Sequence, residues 1–124
     1  MSDEIQVNLS VRVEKSNKLW AFTPGQFTED LTTARRGGND QIVGLTPEVL
    51  SVGDVVAPRL CLLRNLDATN YVTVGPQSST TSTMEPTMRI PAGASCLLWL
   101  DPTVILMAMA NVAVVNLEVN VWDT

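Results

Sequence analysis

From Ile5 to Val13 apolar and polar side chains alternate without a break, Ile5, Val7, Leu9, Val11 and Val13 against Gln6, Asn8, Ser10 and Arg12. Successive side chains of extended backbone point to opposite faces, so a period of two sustained this long predicts a half-buried antiparallel strand. Val114–Trp122 repeats the pattern, with Val115, Leu117, Val119 and Val121 inward and Asn116, Glu118 and Asn120 outward. Two clean alternating strands near the two ends suggest that the ends meet in one sheet. A one-residue slip would reverse every side chain, so the register is well specified.

Between these strands the pattern breaks into short runs. Lys18–Thr28 reads as an aromatic strand carrying Trp20, Phe22 and Phe27, bent at Pro24-Gly25. Glu29–Gln41 is polar and contains Arg35-Arg36-Gly37-Gly38-Asn39-Asp40, which reads as an exposed loop. Gln41–Leu45, Arg59–Leu63, Tyr71–Val74, Met84–Ile90, Ser95–Leu100 and Thr103–Ala108 supply further strands. Thr46-Pro47-Glu48-Val49-Leu50 reads as one helical turn, with Thr46 as cap and Pro47 at the first helical position. Gln77–Thr83, QSSTTST, is a low-complexity polar loop expected to be mobile. About eight short strands with regular turn words predict an all-β fold, an antiparallel β-sandwich of jelly-roll type. Its 124 residues are expected to form one domain, with the first thirteen as a strand or arm and exposed loops at 29–41 and 77–83.

The stretch Arg59–Pro76, RLCLLRNLDATNYVTVGP, sets two strand runs around the polar connection Arg64–Asn70. Asn65, Asp67 and Asn70 bond readily to their own backbone, so the segment reads as a hairpin. The order "RNLDATNYVTVGP", then "MRIPAGASCLLWL", then a closing hydrophobic strand resembles small β-sandwich proteins encoded among the structural genes of tailed bacteriophages, of the head decoration, neck or tail component type. The resemblance covers Val43 to Asp123. It implies a virion structural role in a homo-oligomeric shell or spike, and it brings no functional residue with it.

Composition sharpens this picture. Sixteen valines and thirteen threonines favour strand over helix. Eight Lys and Arg against 13 Asp and Glu give a net charge of −5, which repels phosphate backbones and argues against direct nucleic-acid contact. Met1–Glu4 is acidic and no apolar run follows it, so no signal peptide is expected. The longest uninterrupted apolar run, Val104–Ala110, falls well short of the roughly 20 residues of a membrane helix, and the chain reads as soluble without a membrane partner.

Candidate chemistry is sparse. There is no histidine, which removes histidine-base and triad mechanisms. A carboxylate pair of glycosidase type remains conceivable from Asp54, Asp67, Asp101, Glu118 and Asp123, but these fall in turns, near the chain end or on solvent faces. Cys61 and Cys96 lie in apolar runs and read as buried free thiols, with a cross-strand disulfide as the alternative. Neither a metal site nor a cofactor is expected. Arg35-Arg36-Gly37-Gly38 lacks the ending of a phosphate loop and reads instead as an arm that orders against a neighbouring subunit. Trp122 falls on the polar face of its strand, which points to contact with another chain or a sugar ring, or to packing under the N-terminal segment. Trp99, inside CLLWL, reads as core. Arg35, Arg36 and Trp122 are therefore the candidate interface residues.

The expectation drawn from all this is a non-enzymatic virion protein made in a host cytoplasm, a decoration or cement protein that stabilises a capsid shell. Its partners would be itself, as a trimer, and the major capsid protein or other virion proteins. The alternative is a carbohydrate-binding or adaptor module of a phage tail or fibre.

Overall fold

The computed structural model describes residues 4–31 and 36–123, and within them no helix forms and every strand pairing is antiparallel. The chain divides into two compact units, one within residues 1–32 and the other spanning Thr33–Asp123.

The first unit is a hairpin of β1 (Ile5–Lys15) and β2 (Lys18–Glu29). Ser16 and Asn17 connect them with φ of 49° and 69°. Positive φ at both central residues is the condition for a two-residue turn whose twist matches that of the strands. Leu9 then pairs with Gly25 but Val11 with Phe22, so β2 carries one extra residue at Thr23–Pro24. Pro24 has no N–H to offer a ladder, and a bulge is where that loss is tolerated. Gly25, at φ 93°, takes the left-handed backbone beside it. The bulge also changes the parity of the strand. Phe27 is at an odd position and Phe22 and Trp20 at even ones, yet all three share the face of Val7, Val11 and Val13, which they oppose directly.

The alternation over Ile5–Val13 thus gives a strand, as expected, but not a half-buried one. Ile5 and Val7 are partly covered and every other residue of β1 is exposed. The two ends of the chain do not share a sheet either, since β1 pairs with β2 alone.

The second unit contains β3 (Arg36–Gly37), β4 (Asp40–Val43), β5 (Glu48–Val49), β6 (Leu60–Asn65), β7 (Val72–Pro76), β8 (Met88–Ile90), β9 (Ser95–Trp99), β10 (Leu106–Ala110) and β11 (Val115–Trp122). Four strands form a sheet in the order β5-β10-β7-β8, and five form a second in the order β3-β11-β6-β9, with β4 also paired to β11. The buried side chains come from both sheets. Val43, Cys61, Leu63, Val115, Leu117, Val119 and Val121 belong to the five-stranded sheet, and Val72, Val74, Ile90, Ala108 and Ala110 to the four-stranded one. This arrangement is consistent with a β-sandwich. The inward set of β11 is the one its alternation predicts.

Three local expectations are corrected. Arg59–Pro76 is not a hairpin, because β6 and β7 lie in different sheets and the connection between them crosses from one to the other. The Asx-rich segment makes that corner. Asn65 is buried, its Nδ2 donates to the carbonyls of Asn70 (2.9 Å) and Ile90 (3.1 Å), and its Oδ1 accepts from the Asp67 N–H at 2.9 Å. Thr46–Leu50 does not form a helical turn, since Glu48 and Val49 pair as β5 with Ala108 and Met107. The Glu48 carboxylate instead accepts from Gln41 Nε2 at 2.9 Å, drawing β4 and β5 together. The expected 29–41 loop is interrupted by β3 and the start of β4, both laid against β11. The polar run at 77–83 turns tightly, closed by a Gln77–Met84 bridge, with the Ser78 hydroxyl accepting from the Thr80 and Thr81 N–H groups.

Candidate functional site

The outward face of the five-stranded sheet carries Trp122, one of the residues that the sequence singled out. Directly opposed residues of antiparallel strands share a face, so the register defines rows across β11, β6 and β9. One row is Trp122, Leu60 and Trp99, the next is Asn120, Leu62 and Leu97, and the third is Glu118, Arg64 and Ser95. Leu60 is 1% exposed although it sits on the outer side, flanked by the two indoles, while Trp99 is 51% exposed. Trp122 is half-buried. Across β11, Ile42 of β4 opposes Asn116 and is also exposed.

Polar groups border the apolar row. Asn120 Nδ2 donates to the Leu62 carbonyl at 3.4 Å and to Glu118 Oε2 at 3.2 Å. Arg64 Nη1 pairs with the same Glu118 oxygen at 3.2 Å. An exposed pair of this kind contributes about 0–1 kcal/mol, so it serves chiefly to fix the two side chains, one row beyond Asn120 from the tryptophans.

Trp122 therefore lies where its alternation puts it, outward on β11. Trp99 does not: it is exposed on the edge strand β9 and is not part of the core. The run CLLWL has no polar residue to mark its phase, and only the position of Cys96 and Leu98 against the core shows which face is inward. Arg36 pairs through its backbone with Trp122 in the β3–β11 ladder. Arg35 lies outside the described residues. The row that joins Trp99 to Trp122 through Leu60 is the feature that sequence reasoning missed, because strand neighbours distant in sequence are invisible to a local pattern.

The ionisable groups with shifted titration lie in turns or face the interior. The Asn70 and Thr69 backbone N–H groups bonded to Asp67 hold its carboxyl below the usual range, and the Thr103 N–H and hydroxyl do the same for Asp101. Both carboxylates are capping their own turns. Burial pushes the Cys61 thiol up to about 12, with Cys96 nearby adding to the effect, and burial also raises Cys96. Both cysteines are free. Each faces the interior, but Cys61 opposes Leu98 and Cys96 opposes Leu63, so they are diagonal neighbours. That offset is wider than a disulfide usually spans. Arg89 stacks over the Tyr71 ring at 4.0 Å above a shallow depression lined by Thr73, Thr87, Met88 and Met109. Among the described residues no group of three or more His, Cys, Asp or Glu side chains is placed to hold a metal ion. Among the described residues, likewise, no helix is long and apolar enough to cross a membrane.

Comparison with known proteins adds no relative: no protein-family model, curated protein or solved structure matches the chain.

Proposed function

We propose that this chain is a non-enzymatic structural protein of a tailed-phage virion, a capsid decoration protein that binds the shell as a homo-oligomer, a trimer in the simplest case. The observation that carries the reading is the Trp122–Leu60–Trp99 row with Leu97 beside Trp99 on the same sheet face. Large contiguous apolar surface on a small protein marks an interaction site, and tryptophans in such a surface are the side chains most often found as binding anchors. Clamping neighbouring shell subunits through this face adds contact area that resists internal pressure.

The strand order supports a jelly-roll winding. Taking β4 to β11 as the first to eighth strands, the two sheets read 1-8-3-6 and 2-7-4-5. An interlocked double Greek key, of the sort found in viral capsid and lectin domains, would have this order. The word-level resemblance of Val43–Asp123 to phage structural proteins points the same way.

A second reading, a carbohydrate-binding module of a tail or fibre, draws on the same two tryptophans. They stand two strands apart, roughly 10 Å, on a flat face bordered by Arg64, Glu118 and Asn120. One experiment separates the readings. Trp99→Ala is expected to lower incorporation into particles at least ~10-fold, the loss of an interface anchor, while thermal melting stays near wild type. Wild-type incorporation by the variant, together with loss of retention on a polysaccharide matrix that holds the parent, would overturn the decoration reading in favour of the sugar module.

A further inference from the structure

The β1–β2 hairpin has a two-sided chemistry that its own unit does not use. One face carries Ile5, Val7, Leu9, Val11 and Val13 from β1 and Phe27, Phe22 and Trp20 from β2, brought into line by the bulge at Thr23–Pro24. Leu9, Val11, Val13, Trp20, Phe22 and Phe27 are between 37% and 58% exposed. The opposite face is mostly polar, with Gln6, Asn8, Arg12, Glu14, Gln26 and Thr28 beside Ala21 and Leu19, and Arg12 there pairs with Glu14 at 3.1 Å. An isolated two-stranded hairpin is marginal at best in water, since it has no second layer on which to bury its apolar side. This one spends eight large apolar side chains on that side and holds its register with a bulge and a left-handed turn, features that specify a surface rather than a linker.

We propose that the apolar face of this hairpin is a self-association surface whose occupant is the same face of a second copy of the chain. The area is sufficient. The exposed parts of the aliphatic and aromatic side chains amount to roughly 600 Å² per copy, so pairing two faces buries on the order of 1,200 Å², the lower bound for a specific protein interface. The chemistry is self-complementary. Along the eight apolar positions the face has no charge, so a copy of itself leaves no ion buried without a partner, and the charges at its two ends, Glu29 at the open end and Lys15 and Lys18 at the turn, stay in water. Two such ribbons stack as a small sandwich about 10 Å thick, with Trp20, Phe22 and Phe27 of each copy filling the space between β-branched residues of the other. The hairpin then gains the second layer that it lacks alone. The face joins copies in pairs, so this rests on the homo-oligomer part of the function proposed above, but not on the trimer, on a virion or on the tryptophan row of the other unit.

The test uses the full chain. Val11 and Phe22 are directly opposed, so Val11→Glu with Phe22→Lys replaces an apolar pair by an attractive ion pair, leaving the hairpin its cross-strand contact while polarising the face. Light scattering behind size exclusion is expected to give a closed oligomer for the parent and a monomer for the double variant, with the dissociation constant raised at least ~100-fold. Amide exchange in β1 and β2 is expected to slow with rising protein concentration in the parent and to be independent of concentration in the variant. Amides of β6 and β11 are expected to exchange alike in both, which reports that the second unit stays folded. An oligomeric variant with concentration-dependent protection of β1 and β2 would overturn the hairpin as the contact while leaving the homo-oligomer intact. A parent that is monomeric at every concentration reached would overturn both.

Discussion

At the scale of single residues, the chain places polar groups where backbone leaves its sheet and keeps ionisable ones from the interior, with Cys61 as the exception. Its thiol is buried in the five-stranded sheet and pushed up to about 12, against 9.0 for an ordinary thiol. The cause is chiefly burial, which penalises the thiolate. A group that holds its proton more tightly when folded contributes stability that is complete below its unfolded pKa and is lost as pH rises toward the folded one. Urea midpoints of the parent are therefore expected to fall as pH climbs from about 9 toward 12, and Cys61→Ala is expected to be less stable at neutral pH but flatter across that window. A slope that the variant leaves unchanged would assign the alkaline loss to other groups. The burial of Cys61 was readable from its apolar run. The exposure of Trp99, four letters into a similar run, was not, because an unbroken apolar stretch on an edge strand carries no phase.

At the scale of elements, period two located the strands well and their partners poorly. β6, β7, β9 and β11 fall within a residue or two of where the alternation and turn words put them. What the pattern left open was which strand lies beside which. Asn65, Asp67 and Asn70 suit a hairpin turn and a corner between sheets equally, and the choice is made by non-local pairing of β6 with β9 and β11. The same holds for Glu48–Val49, where pairing with β10 outweighs a helical cap and a proline suited to a first turn. Gly75 shows how tightly such neighbours sit. It is buried in β7, and a Cβ there would collide with the Glu85 carbonyl and carbon, backbone atoms that cannot swing aside. Gly75→Ala is expected to destabilise the second unit by about 3 kcal/mol, read as a lowered urea midpoint at unchanged slope. A midpoint within error of the parent would mean that the chain between β7 and β8 yields easily.

At the scale of the whole molecule, the recognisable words of the sequence and its longest exposed apolar ribbon belong to different parts of the chain. The resemblance runs through Val43–Asp123, whereas the longest apolar ribbon lies in the hairpin before it. Sequence alternation announced that ribbon as half of a core, because it reports that one face is apolar and is silent on what covers it. The candidate interface residues fared similarly: Trp122 took its predicted side of β11, but its association with Leu60 and Trp99 depends on a sheet assembled from three distant segments.

The position of β11 in that sheet has a consequence for synthesis. It is hydrogen-bonded to β6 on one edge and to β3 and β4 on the other, all of which leave the ribosome before it. Until it emerges, the sheet has a vacant lane between strands already made, with two open edges and the core short of Val115, Leu117, Val119 and Val121. A nascent chain stalled before Val114 is thus expected to remain protease-sensitive throughout 36–110, and one extended past Asp123 by a tunnel-length tether to become resistant in a single step. Early resistance in the shorter chain would show that the four-stranded sheet folds without its lid. The vacant lane also has the shape of a strand acceptor: a synthetic peptide of Val114–Asp123, added in trans to the shortened chain, is the natural ligand for it.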